Sequence, residues 1–296
     1  MTYAVVAYVL WGTFPVYFSL LKPASALEIV AERVVWCFAF LVVVLAVRRD
    51  WTWLGPTLRD RRRITLIVLA AVVIVANWLT YNFAVNSGQA VEGSLGYFIA
   101  PLVTVTIGVV FLKERLRTAQ WAAVAIAAIA VAVMAAENGH LPWIAVVLAV
   151  TFSTYGLIMR FVDTPPVEAV AVGMGAMFVP FAVVLLALQA NGSLVLFHAN
   201  PGTSALLIGA GAVTAVPMVF FSAAAPLAPL TTLGLLQYIN PVLQFLFSVT
   251  VLNETLSAAR WVGFALVWLA LAIFVVDGLR SSRRSASTSA VELARP

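Results

Sequence analysis

Long runs of apolar residues, each closed by a short cluster of polar or turn-forming ones, follow one another along the chain as far as residue 278. A helix rises about 1.5 Å per residue and the hydrocarbon core of a bilayer is about 30 Å thick, so about 18 or more apolar residues in succession mark a membrane-crossing helix. The pattern predicts ten: Tyr3–Leu21, Leu27–Val47, Ile64–Val85, Val91–Leu112, Thr118–Ala136, Leu141–Phe161, Val167–Gln189, Thr203–Ala225, Thr231–Leu252 and Ser257–Gly278. The expected fold class is therefore an all-α integral membrane protein. The connections are too short for a second, water-soluble domain, and only residues 281–296, rich in Ser and Arg, read as a disordered tail. The first span has no basic run before it and no small-residue cleavage pattern after it, so it reads as a retained helix rather than a signal peptide.

Composition sharpens this picture. Hydrophobic residues make up 63% and charged residues 10% of the chain, against roughly 25% charged residues in soluble domains, so no soluble surface can be built. The formal charge of +5 would fit nucleic acid, but its placement excludes that reading. Arg48, Arg49, Arg59, Arg61, Arg62 and Arg63 lie between spans two and three, Lys113, Arg115 and Arg117 between four and five, Arg160 after six, and Arg280, Arg283, Arg284 and Arg295 after ten. With ten spans all of these share one side with both termini, and the positive-inside rule makes that side the cytoplasm. The opposite side keeps Lys22 and Arg260, and Arg33 lies within a span. A multi-pass cell-membrane protein with cytoplasmic termini is expected.

The chain also repeats itself. Shifting residues 94–121 by 140 onto 234–261 matches Leu95, Ile99, Pro101, Val109, Leu112, Glu114, Leu116, Ala119 and Trp121 with identical residues, nine in 28 positions. Apolar matches arise by chance in so apolar a chain, whereas a Pro, a Glu and a Trp in register do so rarely. The same shift sets Glu28 on Glu168 and Asn77 on Pro217. Two five-span halves follow, residues 1–137 and 138–280. Because five is odd, the second half enters the membrane from the other side and the halves are inverted copies. The loops agree: "KERLR" after span four is basic, and its counterpart "NETLS" carries no positive residue. Inverted repeats are a recurrent plan of secondary transporters, with the solute site near the midplane.

Spans four and nine carry the strongest polar signal. Ser94, Tyr97, Pro101, Thr104 and Gly108 step by three and four and form one stripe; the equivalent stripe is Gly234, Gln237, Pro241, Gln244 and Ser248. A proline removes one backbone donor and frees the carbonyl a turn earlier, near Tyr97 and Gln237. Lipid cannot satisfy that group, so both stripes should face protein or a water-filled cavity. Close helix packing accounts for Ser94, Gly108, Gly234 and Ser248. A cavity wall accounts better for Gln237, Gln244 and the paired prolines.

Other spans add candidates. Tyr8, Trp11, Gly12 and Pro15 lie close to one face of span one, and Thr151, Thr154 and Tyr155 are their counterparts in span six. Tyr3 reads as an interface anchor. Trp11 lies about 12 Å into its helix, where a stacking wall for a solute and plain packing are both open. In span three Asn77 and Tyr81 share a face, with Trp78 and Asn82 on the next; Asn77 either bonds a neighbouring helix or contacts solute. In span two Glu28 and Glu32 are one turn apart and Arg33 follows. Arg33 either snorkels to the interface or pairs with an acid such as Glu92 to fix an outer gate. Glu28, Glu32 and Glu168 are the carboxylates available for proton coupling, with solvation at the interface as their simpler reading.

Several chemistries are missing. Cys37 is the sole cysteine, and His140 and His198 fall in separate loops, so neither a disulfide nor a Cys/His metal cluster is expected. There is no GxxxxGK[ST] phosphate loop, no HExxH, no Asp-rich diphosphate motif, and no His or Lys base inside a span for a Ser nucleophile. No cofactor and no enzyme activity are expected.

With "GYFIAPLV" followed by "GVVFLKERLRTAQW", and "LGLLQYINPVLQFL" followed by "NETL", the sequence resembles the drug/metabolite transporter superfamily, and within it the RarD-like branch of EamA-type permeases. "AYVLWGTFPVYF", "ALEIVAERVVW", "NWLTYNFAVNSG" and "WLALAIFVVDGL" carry the likeness over nearly all of residues 3–280. The resemblance implies two inverted five-helix EamA repeats, cytoplasmic termini, a central cavity open to one side at a time, and small organic solutes, often exported. It also implies solute contact at Tyr97, Pro101, Gln237, Tyr238, Asn240 and Pro241. Ala100 stands where span nine has Asn240, so a symmetric binding role is not carried over.

The function expected is a secondary transporter, probed against a membrane sensor or scaffold that binds without moving its ligand, with a lipid-acting enzyme last. Solute contact is expected at Trp11, Asn77, Tyr81, Tyr97, Pro101, Thr104, Tyr155, Gln237, Tyr238, Asn240, Pro241 and Gln244, and gating or coupling at Glu28, Glu32, Arg33 and Glu92. The partners expected are a small-molecule solute and the lipid bilayer, with homodimer formation left open.

Overall fold

The computed structural model of the chain describes residues 1–87, 90–136, 143–250, 258, 261–263 and 265–277. The 281–296 tail, His140 and the side chains of Glu92, Ser94, Gln244 and Ser248 lie outside the described residues.

Among the described residues all regular structure is helical: α1 (Thr2–Gly12), α2 (Phe14–Ser19), α3 (Ala26–Arg48), α4 (Leu54–Arg59), α5 (Arg61–Asn86), α6 (Ala90–Val110), α7 (Thr118–Ala136), α8 (Trp143–Arg160), α9 (Pro166–Ala190), α10 (Pro201–Ala224), α11 (Leu230–Leu236) and α12 (Ile239–Thr250). A further apolar helical stretch runs over Trp261–Asp277. Of these, α3, α5, α8, α9 and α10 are long and apolar enough to cross a bilayer, and shorter apolar helices cover Leu95–Val110 and Thr118–Val133. The ends follow local chemistry. Ser25 caps α3 by accepting the Glu28 N–H at 3.2 Å, and Asn200 caps α10 by accepting the Thr203 N–H at 2.9 Å. Pro166 and Pro201 open α9 and α10, where a missing N–H costs nothing.

Two of the apolar runs are broken helices. The first splits at Thr13 into α1 and α2: Pro15 cannot donate, and the Thr13 hydroxyl bonds the Leu10 carbonyl at 2.7 Å. The ninth splits at Gln237 and Tyr238 into α11 and α12, just ahead of Pro241. The fourth stays continuous as α6 although Pro101 lies inside it.

The helices pack in a closed set. α6 lies on α8 and α11, α3 on α9 and α10, α5 on α8 and α9, and α1 on α10 and α12. The outward faces of these helices are strongly apolar, as at Val43, Val183 and Leu186. A bilayer accepts such a surface, because its hydrocarbon competes for no hydrogen bonds.

Loop contacts fall into two groups at opposite ends of the helices. At one end Arg63 reaches Asp163 at 2.7 Å, Arg117 reaches Asp277 at 2.7 Å, and Glu114 receives the Leu230 and Thr231 N–H groups at 2.8 Å. At the other, Glu28 Oε1 accepts the Val195 and Leu196 N–H groups at 2.8 and 3.0 Å, and Leu21 packs on Leu196 and Leu207.

Candidate functional site

A cavity of about 360 Å³ lies between α1, α2, α3, α5, α6, α8 and α12. That volume suits a small organic molecule. Exposed Ser19 and Lys22 stand at one end of its wall, and buried Asn77, Phe152 and Asn240 at the other. The cavity therefore runs inward from the end at which Glu28 holds the 195–196 loop.

Its wall is aromatic with a few amides. Trp11 is 8% exposed and its ring meets Phe152 and Phe221 at 5.5 Å between centroids. Edge-to-face geometry at 80° against Phe152 fixes the indole, since the positive ring edge meets a negative face. Tyr81 and Tyr97 form a second such pair at 5.4 Å, joining α5 to α6. Asn77 donates to the Leu148 carbonyl at 2.9 Å and to the Thr151 hydroxyl at 2.8 Å, so its amide ties α5 to α8 while one edge faces the cavity. Asn240 is the second residue of α12, directly after the helix break, and reaches the same wall.

Arg33 projects from α3 into this wall and is 4% exposed. It neither snorkels nor pairs with a described acid. Its Nε donates to Thr214 Oγ1 at 3.0 Å, and its guanidinium carbon lies 3.9 Å from the Trp78 ring centroid, 5.0 Å from that of Phe18 and 5.6 Å from that of Phe14. Each cation–π contact contributes roughly 0.5–2 kcal/mol, while burying an ion costs several kcal/mol. The aromatic cage thus offsets much of the cost of placing a charge there, and the planar guanidinium is the cation best shaped to stack.

The two polar stripes behave differently from the cavity wall. α6 and α11 cross directly: a Cβ on Gly234 would stand 2.9 Å from the Pro101 carbonyl oxygen, and one on Gly108 would stand 2.8 Å from Thr231 Cγ2. The polar atoms at this crossing bond one another. Thr104 Oγ1 lies 2.8 Å from Ser153 Oγ and donates to Gln237 Oε1 at 3.4 Å. Ser153 donates to the Ala100 carbonyl at 3.1 Å and Tyr238 to the Phe98 carbonyl at 3.4 Å, so hydroxyls from α8 and from the break between α11 and α12 serve the turn before Pro101. Pro101, Thr104, Gln237, Tyr238 and Pro241 do not line this cavity; the first four build the crossing beside it. Tyr155 also stands back from it, its ring stacked at 5.5 Å on Phe221 behind Trp11.

The carboxylates of α3 are buried rather than solvated at an interface, Glu28 and Glu32 both being 0% exposed. Glu28 is occupied with the Val195 and Leu196 amides. Glu32 accepts the indole N–H of Trp36 through Oε2, while its Oε1 has no partner among the described residues. Glu168 lies 3.9 Å from Arg48.

Phe14, Phe18, Lys22 and Phe152 line the cavity without having been singled out from sequence as solute contacts. An aromatic residue in an apolar span has no contrast with its neighbours. Lys22, in contrast, is one of the two cations that the ten-span reading of the sequence leaves on the side away from the basic loops, and that scarcity was the available signal.

Comparison with known proteins places this geometry. Over 285 residues the chain is 45% identical to Protein RarD of Streptomyces exfoliatus, covering 96% of this chain and 90% of that one. It is 41% identical over 280 residues to an uncharacterized transporter of Pseudomonas aeruginosa, covering 94% and 93%, and 40% identical over 283 residues to Protein RarD of Escherichia coli, covering 95% of each. One solved crystal structure shares the fold with a TM-score of 0.72 at 19% identity, over 93% of this chain and 96% of the other. The EamA-like transporter family model matches residues 1–136 and again 142–276, so the chain is a multi-pass membrane protein of the EamA-like transporter family.

Proposed function

We propose that the protein is a secondary transporter, working as an exporter in the cell membrane, that moves a small organic metabolite or drug by alternating access through the cavity. The observation that carries this is the shape of the site. An aromatic and amide-lined cavity reaches inward from Lys22, and a close crossing of α6 and α11 closes the path beyond it. Trp11, Asn77, Tyr81, Tyr97 and Asn240 contact the solute.

Ten spans in two inverted halves, residues 1–137 and 138–280, provide the moving parts. The packing set supports this reading. Exchanging each helix with its partner 140 residues away turns α6 on α8 into α12 on α1, α3 on α10 into α9 on α5, and α5 on α8 into α10 on α1, all of them contacts that occur. The two separate matches to the family model support it as well. The basic loops gather at the end away from Lys22, which supports cytoplasmic termini and a cavity facing outward. Opening the other side would require α11, with α12, to rock off α6. Glu28, Glu32 and Glu168 are all buried with one oxygen unpartnered among the described residues; Glu32, which neither holds backbone amides as Glu28 does nor lies beside an arginine as Glu168 does, is the carboxylate proposed for proton coupling.

The test begins with a metabolite and drug screen of cells lacking or overproducing the protein, followed by net flux of the labelled hit in proteoliposomes. Flux that falls in Trp11→Ala and Asn240→Ala, and loses its response to a proton gradient in Glu32→Gln, supports the proposal. Saturable binding without net flux overturns it in favour of a sensor.

A further inference from the structure

We propose that the cavity is an anion site: it takes a small organic solute whose carboxylate or equivalent oxyanion docks on Arg33 while its planar, apolar body lies against Trp11 and Phe152. This deepens the transporter reading and rests on it.

Three independent features of the wall point the same way. The first is charge. Two cationic side chains, Arg33 and Lys22, line the cavity, and no carboxylate does so among the described residues. Lys22 stands exposed at the entrance and Arg33 lies deep, so an entering anion meets a positive potential along its path, focused by low-dielectric walls. The carboxylates nearest in sequence are turned elsewhere. Glu28 holds the Val195 and Leu196 amides and Glu32 accepts from Trp36, and neither makes an ion pair with Arg33.

The second is the state of the guanidinium. Arg33 is 4% exposed, and of its five N–H donors only the one on Nε has a partner among the described residues, Thr214 Oγ1. Thr214 fixes the side chain through Nε, which leaves the two terminal nitrogens as a fork. That fork is the geometry that binds a carboxylate through two parallel hydrogen bonds. Stacking on Trp78 at 3.9 Å fixes its plane without using its donors. A buried arginine of this kind inside a membrane protein marks a solute path.

The third is the complement. Beside the charged end the wall is aromatic, with Trp11 and Phe152 held edge to face, and amides at Asn77 and Asn240 flank it. Together these read as a site for a flat monoanion: Arg33 and Lys22 supply the charge, and the faces of Trp11 and Phe152 the apolar contact.

The experiment uses the full-length protein purified in detergent and follows thermal stabilisation and calorimetric binding of benzoate, benzamide and benzamidinium, probes of nearly equal shape and different charge. Benzoate is expected to bind saturably and at least about tenfold more tightly than the other two. Arg33→Gln is expected to remove that preference and Arg33→Lys to keep part of it. Lys22→Gln, an exposed change that does not threaten folding, is expected to weaken benzoate by a few-fold and to flatten the dependence of affinity on ionic strength. Equal binding of the three probes, a preference for benzamidinium, or a benzoate preference that survives Arg33→Gln overturns the proposal. Because binding is read without flux, these outcomes are separate from failure of transport, which would leave an anion-binding sensor.

Discussion

Glu114 receives the backbone N–H of Leu230 on Oε1 at 2.8 Å, across a separation of 116 residues. Its other oxygen receives the Thr231 N–H at 2.8 Å, so one carboxylate covers the first two donors of α11. Helix starts favour negative charge and leave such donors unsatisfied, so the contact combines a cap with a favourable dipole interaction. Arg160 completes the cluster, 3.9 Å from Glu114 and bonded to the Ala228 carbonyl. Glu114→Ala should therefore destabilise the protein by about 1–3 kcal/mol, the range for removing one partner and leaving the buried N–H groups of Leu230 and Thr231 unsatisfied. Glu114→Gln, which keeps one acceptor, should lose less. Thermal unfolding of the two variants in the same detergent checks the order, and equal midpoints to the parent would remove this cap from the account of how α11 is held.

Where α11 crosses α6 the limiting atom is backbone. A Cβ on Gly234 would stand 2.9 Å from the Pro101 carbonyl oxygen and 3.1 Å from Thr104 Cβ, and neither can swing aside as a flexible side-chain tip can. Gly234→Ala is expected to cost about 1–3 kcal/mol by overpacking and to force the crossing open. Gly156, inside α8, would bring an added Cβ only to ordinary contact, 3.4 Å from Phe221 Cζ and 3.7 Å from Leu230 Cδ1, so Gly156→Ala should stabilise by roughly 0.5–1 kcal/mol through helix propensity. Opposite signs of the two shifts in melting midpoint are the check.

The residues that sequence made legible are those that contrast with an apolar background. Asn77, Asn240, Tyr81, Tyr97 and Trp11 stood out because an amide or a large amphipathic ring inside a span requires a partner, and all five reach the cavity wall. Gln237 and Thr104 stood out for the same reason and instead satisfy each other at the helix crossing. A demand for partners does not reveal who the partner is, and packing and cavity share that demand. Phe152 and Phe14 carried no contrast. Nor did proline by itself locate the helix breaks. Pro101, Pro180 and Pro217 lie inside continuous helices, while the helices break at Thr13, ahead of Pro15, and at Gln237 and Tyr238, ahead of Pro241. The burial of Glu28 was hidden because its partners are backbone amides 167 and 168 residues away.

Asn77 has two roles that substitution can separate. It bonds Leu148 and Thr151 on α8 and also lines the cavity, whereas Thr151 does not line it. Thr151→Val removes the hydroxyl that accepts from Asn77 and bonds back to the Val147 and Leu148 carbonyls of its own helix, and it leaves the cavity wall unchanged, so it should lower stability by about 0.6 kcal/mol for the interhelical bond, a typical value in membranes, with little change in solute affinity. Asn77→Ala should lower both. Calorimetric titration of a bound solute alongside thermal unfolding distinguishes them, and a solute affinity that falls equally in both variants would mean that Asn77 acts only by holding α8.

The sidedness proposed for the cavity can be tested with cysteine labelling, because the native background is small: Cys37 is the only cysteine and it is fully buried. The loop contacts set Asp50, Arg115 and Asp163 at the end joined by Arg63–Asp163 and Arg117–Asp277, and Lys22 and Ser193 at the end joined by Glu28 to the 195–196 loop. All five are exposed, so a thiol at any of them is open to reagent if its side of the membrane is. A membrane-impermeant maleimide added to intact cells should label Lys22→Cys and Ser193→Cys, and should label Asp50→Cys, Arg115→Cys and Asp163→Cys only after lysis. The positive-inside rule sets this direction, since the arginine-rich 59–63 segment belongs to the second group. Labelling of the second group alone in intact cells would invert the topology and turn the cavity toward the cytoplasm. Labelling of members of both groups would break the ten-span arrangement, because loops at opposite ends of the helices must be separated by an odd number of crossings and cannot both face outward.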